Sequence, residues 1–138
     1  MAHPPWIPNV AFVVLDIEGM NLLVRVHRHG MWFDEALFFD NESCSGQAYM
    51  PEFRLHDSWF EPAVLVSVIE GNAHSRVPHV VVGEPQPVEI IRHVNQNGHC
   101  VKPEHVPDIG WVPVMAVTRG DVPIDLIVDY PPPYRLDN

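Results

Sequence analysis

The chain is expected to be all-β: an antiparallel sandwich or barrel of about nine short strands with extended, proline-rich termini. Three observations lead there. Val far outnumbers Ala, and a β-branched side chain, stiff at its first torsion, suits a pleated sheet better than a helix. Fifteen Pro and eight Gly are spread along the chain, so few windows longer than about ten residues escape a helix breaker. Short apolar runs recur at roughly ten-residue spacing between turn-forming clusters. At 138 residues the length is that of one domain. We divide it into an extended arm over 1–9, a β domain over 10–130 and an extended tail over 131–138.

In the arm, Pro4, Pro5 and Pro8 favour polyproline geometry, with Trp6 as an anchor. Ala11–Asp16 and Asn21–His27 form a hairpin around Ile17-Glu18-Gly19-Met20, and Gly30 closes its second strand. Met31–Phe33 and Ala36–Asp40 are short aromatic strands. Asn41–Gly46 is a turn cluster, and Gln47–Met50 is a further strand. Pro51–Pro62 is an irregular loop carrying Trp59. Ala63–Ile69 is a nearly continuous apolar run and therefore a buried strand. Glu70–Pro78 reads as a polar loop and His79–Val82 as a short apolar strand. Val88–Val94 and His99–Lys102 flank Asn95-Gln96-Asn97-Gly98, whose Asn-Gly pair is the strongest hairpin cue in the chain. Trp111–Thr118 and Val122–Val128 are the last strands, with Arg119-Gly120-Asp121 as the turn between them.

Charge and hydropathy exclude several classes. Acidic residues number 18 against 8 basic ones, for a formal charge of −10. Phosphate contacts need clustered Lys and Arg, so nucleic acid is not an expected partner. No apolar run approaches the roughly 20 residues of a membrane-spanning helix. The opening MAHPPWIP lacks the basic and apolar regions of a secretory signal.

Nine His raise the question of a metal. His27 and His29 lie two apart on a strand and so share a face. With Glu35 they form an imidazole–carboxylate set suited to zinc, iron or manganese. Gly19, His27, His29 and Glu35 loosely resemble the first motif of the cupin family, which implies a metal-dependent β-barrel enzyme. The chain departs from that motif: Gly19 stands far upstream, and Gly30 follows His29 directly. The second motif is not recognisable, and His74 and His79 are the nearest residues to supply its His. A solvated, His-rich strand face is the simpler reading, and no cofactor is expected.

Cys44 and Cys100 each fall in a turn, and there is no C-x-x-C. Two separate thiols and one disulfide are both open. A bridge would contribute about 4 kcal/mol in the chain-entropy model and would imply an oxidising compartment. No G-x-S-x-G and no glycine-rich phosphate loop is present, so no catalytic residue is assigned. Trp6, Trp32, Trp59 and Tyr134 are candidate interface anchors. The four Trp, with Trp111 among them, are also of the type that stacks on a glycan.

The segment Phe38–Met50, FFDNESCSGQAYM, resembles a β-rich module of bacterial and phage surface or tail-fibre-like proteins. In that module an aromatic strand leads into a Cys-Ser/Thr-Gly turn and a short aromatic strand. Asn97-Gly98-His99-Cys100, the strand Val112–Val114 and Pro132-Pro133-Tyr134-Arg135 follow in the same order. The resemblance implies a structural role on a virion or cell surface and a relation between Cys44 and Cys100. It implies no catalytic residue. The expectation is a non-enzymatic structural or interaction module of a larger assembly, such as a decoration, collar or fibre-associated subunit. Its partners would be other protein subunits, including copies of itself, with a glycan as a further ligand.

Overall fold

The computed structural model describes residues 10–17, 19–27, 30–31, 36–52 and 64–129. The architecture is all-β. Strands β1 (Val10–Ile17), β2 (Met20–His27) and β3 (Gly30–Met31) form a small antiparallel sheet in that order. A larger sheet contains β4 (Leu37–Phe39), β5 (Ala48–Pro51), β6 (Val64–Ile69), β7 (Asn72–Val81), β8 (Arg92–Val94), β9 (Cys100–Val101) and β10 (Trp111–Ala116). Its order is β6-β7-β10-β5-β4-β8-β9, and it curls into a half-barrel. A ribbon of β11 (Thr118–Arg119) and β12 (Val122–Pro123) leads into the single-turn helix α1 (Leu126–Asp129).

The first hairpin pairs in full register from Val10↔His27 to Ile17↔Met20. Its two-residue turn needs positive φ, which Gly19 supplies at +78°. The small sheet and α1 cover one end of the half-barrel's outer face. Ile17, Leu22 and Val24 meet Val66 and Val80 there, together with Ile124 and Leu126. At the other end of that face, Phe38, Tyr49 and Trp111 pack with Ala36 and Ile90. The Phe38 and Trp111 rings lie 4.9 Å apart at 52°, an edge-tilted contact. The inner face is lined by a third cluster that includes Leu37, Phe39, Met50, Leu65, Val94 and Val112. Alternation along each strand assigns these residues to opposite faces.

Several expected boundaries move. The polar segment Glu70–Pro78 is not a loop: Glu70 and Gly71 make a tight turn, and β7 runs from Asn72. Its polar residues serve the hairpin. The Ser75 hydroxyl donates to the Asn72 carbonyl at 2.8 Å and accepts from the Ile69 amide at 2.9 Å, beside a register shift between Ser67 and Ile69. Of the expected strand Val88–Val94 only Arg92–Val94 pairs. The expected strand Val122–Val128 stops at Pro123, because the Asp125 side chain caps α1, accepting from the Ile127 amide at 3.0 Å. The same carboxylate accepts from the Arg76 amide at 3.1 Å, which ties the helix to β7. Gly30 opens β3 instead of closing β2. Twelve strands are present among the described residues, against about nine expected, because pairs of two residues also count as strands. The expected arm 1–9 and the whole of the expected tail 131–138 lie outside the described residues.

β10 carries Pro113 in the middle of the large sheet, where a missing N–H is normally excluded. Pro113 faces Tyr49 in register, and its carbonyl accepts from the Val82 amide at 2.9 Å. In an antiparallel strand a residue's N–H and C=O point to the same side. The absent donor therefore falls on the β7 side. There the chain leaves the sheet at Gly83 and returns at Gln86, which pairs with Trp111. A Cβ at Gly83 would lie 2.7 Å from Pro113 Cγ. Glycine here makes room for the proline ring.

Candidate functional site

The inner face of the half-barrel lines a cavity of about 430 Å³ that is broadly open to solvent. Leu37, Phe39, Ala48, Val94, Val114 and Ala116 give it apolar walls, and Gln47, Glu70 and His79 are its polar members. Strand register places His79 opposite Leu65 on β6 and Ala116 on β10. Its side chain is 4% exposed.

Geometry fixes the state of that imidazole. Nδ1 lies 2.9 Å from the Val77 carbonyl oxygen. A carbonyl can only accept, so Nδ1 carries the proton and Nε2 of the neutral ring is an acceptor. Burial disfavours the charged form and lowers the pKa from 6.5 to about 4, with the bond to Val77 acting weakly the other way. His79 is therefore neutral at pH 7. Gln47 is engaged as a clamp, its amide donating to the Ala48 carbonyl at 2.9 Å and to the Val114 carbonyl at 2.8 Å. Glu70 is exposed, at the rim.

Two connections hold the mouth of the cavity. The Gly71 amide in the β6–β7 turn donates to the Gly98 carbonyl in the β8–β9 turn at 2.8 Å, so hairpins from opposite edges of the sheet meet. A Cβ at Gly98 would sit 3.1 Å from the Asn72 and Ala73 amide nitrogens, and its φ is +76°, so the approach requires glycine. Asn95 shapes that turn by accepting from the Asn97 and His99 amides. A disulfide joins Cys44 to Cys100, with Cα atoms 5.9 Å apart, and so ties the 40–47 turn to β9. Cys44 itself has φ of +50°, unusual for a side-chain-bearing residue. The Asn41 side chain holds it there, accepting from the Ser43 and Ser45 amides and donating to the Ser45 carbonyl.

The sequence-based site residues lie mostly outside the described residues. The His27 backbone pairs with Val10 and Gly30, but its side chain, together with His29 and Glu35, lies outside the described residues. So do Trp6, Trp32, Trp59 and Tyr134. Trp111 is 1% exposed and belongs to the core, where no glycan can reach it. His74 is exposed while His79 is buried, so the two do not share a site. Among the described residues no three His, Cys, Asp or Glu side chains group closely enough to hold a metal ion. No helix among them is long and apolar enough to cross a membrane. Sequence reasoning missed His79 as a cavity residue. The available signal was one polar residue inside the run Val77–Val82, which by itself does not reveal the face.

No protein family, no characterised protein and no solved structure matches the chain. Fold and site together define a class: a disulfide-clamped β half-barrel around an apolar cavity with one buried neutral imidazole.

Proposed function

We propose that the chain is a non-enzymatic interaction module that works as a subunit of a larger extracellular or virion assembly, with copies of itself among its partners. The observation that carries this reading is a strip on the outer face. Val82 is 47% exposed and Met115 59% exposed. Val80 faces Met115 in register, and the Val82 amide bonds the Pro113 carbonyl, so the two exposed side chains stand as diagonal neighbours on one face. Adjacent exposed apolar side chains on a rigid sheet favour contact with another protein. Two further features support the reading. The Cys44–Cys100 bridge suits an oxidising compartment. Asn41, Ser75, Asn95 and Asp125 are engaged in holding loops, so these polar groups serve shape. The setting on a phage or bacterial surface rests on the resemblance of the Phe38–Met50 segment.

Multi-angle light scattering over a concentration series tests the reading. The full chain is expected to gain mass with concentration, and Met115→Glu to stay monomeric. A strictly monomeric parent at high concentration would overturn it.

A further inference from the structure

We propose that the cavity of the half-barrel binds a small, compact apolar molecule bearing one neutral hydroxyl, such as a phenol or an aromatic alcohol, whose O–H donates to His79 Nε2. The volume of about 430 Å³ lies in the range of small-molecule sites. Apolar side chains from five strands line the cavity, β7 alone contributing a polar one, His79, so the bulk of the ligand must be apolar too. His79 lines the cavity while 4% exposed. Its Nδ1–H is engaged by the Val77 carbonyl, and Nε2 has no partner among the described residues. Nε2 reaches the solvent-open cavity and is not a buried unpaired atom, so a ligand hydroxyl exchanges with solvent as the donor to this acceptor.

The rest of the lining selects the same chemistry. Both known bonds of the Gln47 amide nitrogen go to backbone carbonyls, so its donors are engaged. The side-chain polar atoms that remain, the Gln47 oxygen and the Glu70 carboxylate, are acceptors. A carboxylate or phosphate ligand would find no side-chain donor and would meet Glu70 at the rim. An ammonium at the buried end would be a charge without a counter-ion, since Glu70 is exposed. A neutral donor remains. The site is also pre-formed: the imidazole is held by its Val77 bond, and the mouth is held by the Gly71–Gly98 hydrogen bond and the disulfide. Met115, on which the assembly reading turns, also borders the cavity; the binding variants at Ala116 and His79 leave it unchanged, so this proposal and the assembly reading fail separately.

The test compares three probes on the full chain at pH 7 by isothermal titration calorimetry. 2-Naphthol is expected to bind saturably at one per chain. 2-Methoxynaphthalene, the same body without the donor, is expected to bind about tenfold more weakly, the weight of one hydrogen bond. 2-Naphthoate is expected not to bind. Ala116→Leu, which fills the cavity and leaves His79 in place, is expected to abolish binding of the first two. His79→Leu is expected to equalise them. The ¹⁵N resonance of His79 Nε2 is expected to shift with 2-naphthol and not with 2-naphthoate. Equal affinity of 2-naphthol and its methyl ether for the unaltered protein would overturn the proposal. So would unchanged affinity in a folded Ala116→Leu protein, or no saturation by 2-naphthol up to its solubility limit.

Discussion

His79 couples stability to acidity. In the fold its ring is neutral down to about pH 4, whereas an imidazole in the unfolded chain protonates near 6.5. Between those values the unfolded state holds more protons, so stability rises with pH across the window. The contribution is complete above pH 6.5 and is lost progressively as the pH falls toward 4, to a limit of about 3 kcal/mol. His79→Gln is expected to flatten this loss. Urea unfolding of parent and variant at pH 6.5 and 4.5 checks it, and equal slopes in both proteins would count against the assignment. Little of this was readable beforehand. Nine His stand in the sequence, and which of them is buried depends on the face that strand pairing gives each one.

At the scale of elements, turn chemistry was readable where it is local. Gly19 and the Asn95–Gly98 turn fall where the sequence put them, because a two-residue or Asn-Gly turn needs only its own backbone angles. β7 was misread because Asn72, His74, Ser75 and Arg76 look solvated, yet the long hairpin with β6 gives that edge of the sheet a use for polar side chains. Gly83 and Pro113 explain each other only once β7 and β10 lie side by side. Gly83→Ala is expected to destabilise the protein by about 1–3 kcal/mol through overpacking against the proline ring, measured by thermal unfolding; an unchanged midpoint would refute that packing. The disulfide closes a loop with a sequence separation of 56. Replacing both cysteines by Ser is expected to cost about 4 kcal/mol, mostly by freeing the unfolded chain, as read from the denaturation midpoint. A loss below about 1 kcal/mol would show that the Gly71–Gly98 contact and the Asn41 turn hold the mouth without it.

For the whole molecule, charge and apolar surface pull in opposite directions. A formal charge of −10 makes copies repel, while Val82 and Met115 favour contact. Salt screens the first and leaves the second nearly intact. Sedimentation velocity is therefore expected to show more association at 0.5 M than at 0.05 M NaCl. A profile flat in salt would remove the electrostatic half of this account.

Composition and spacing were enough to establish an all-β fold with many turns, because β-branched side chains, scattered prolines and short apolar runs act on each stretch of backbone locally. Strand order, the curl into a half-barrel, the meeting of Gly71 with Gly98 and of Cys44 with Cys100, and the turning of His79 into a cavity came from contacts between residues far apart in the chain. Local preferences do not encode those contacts. They arise when distant apolar faces are buried together, and that burial is what creates the site.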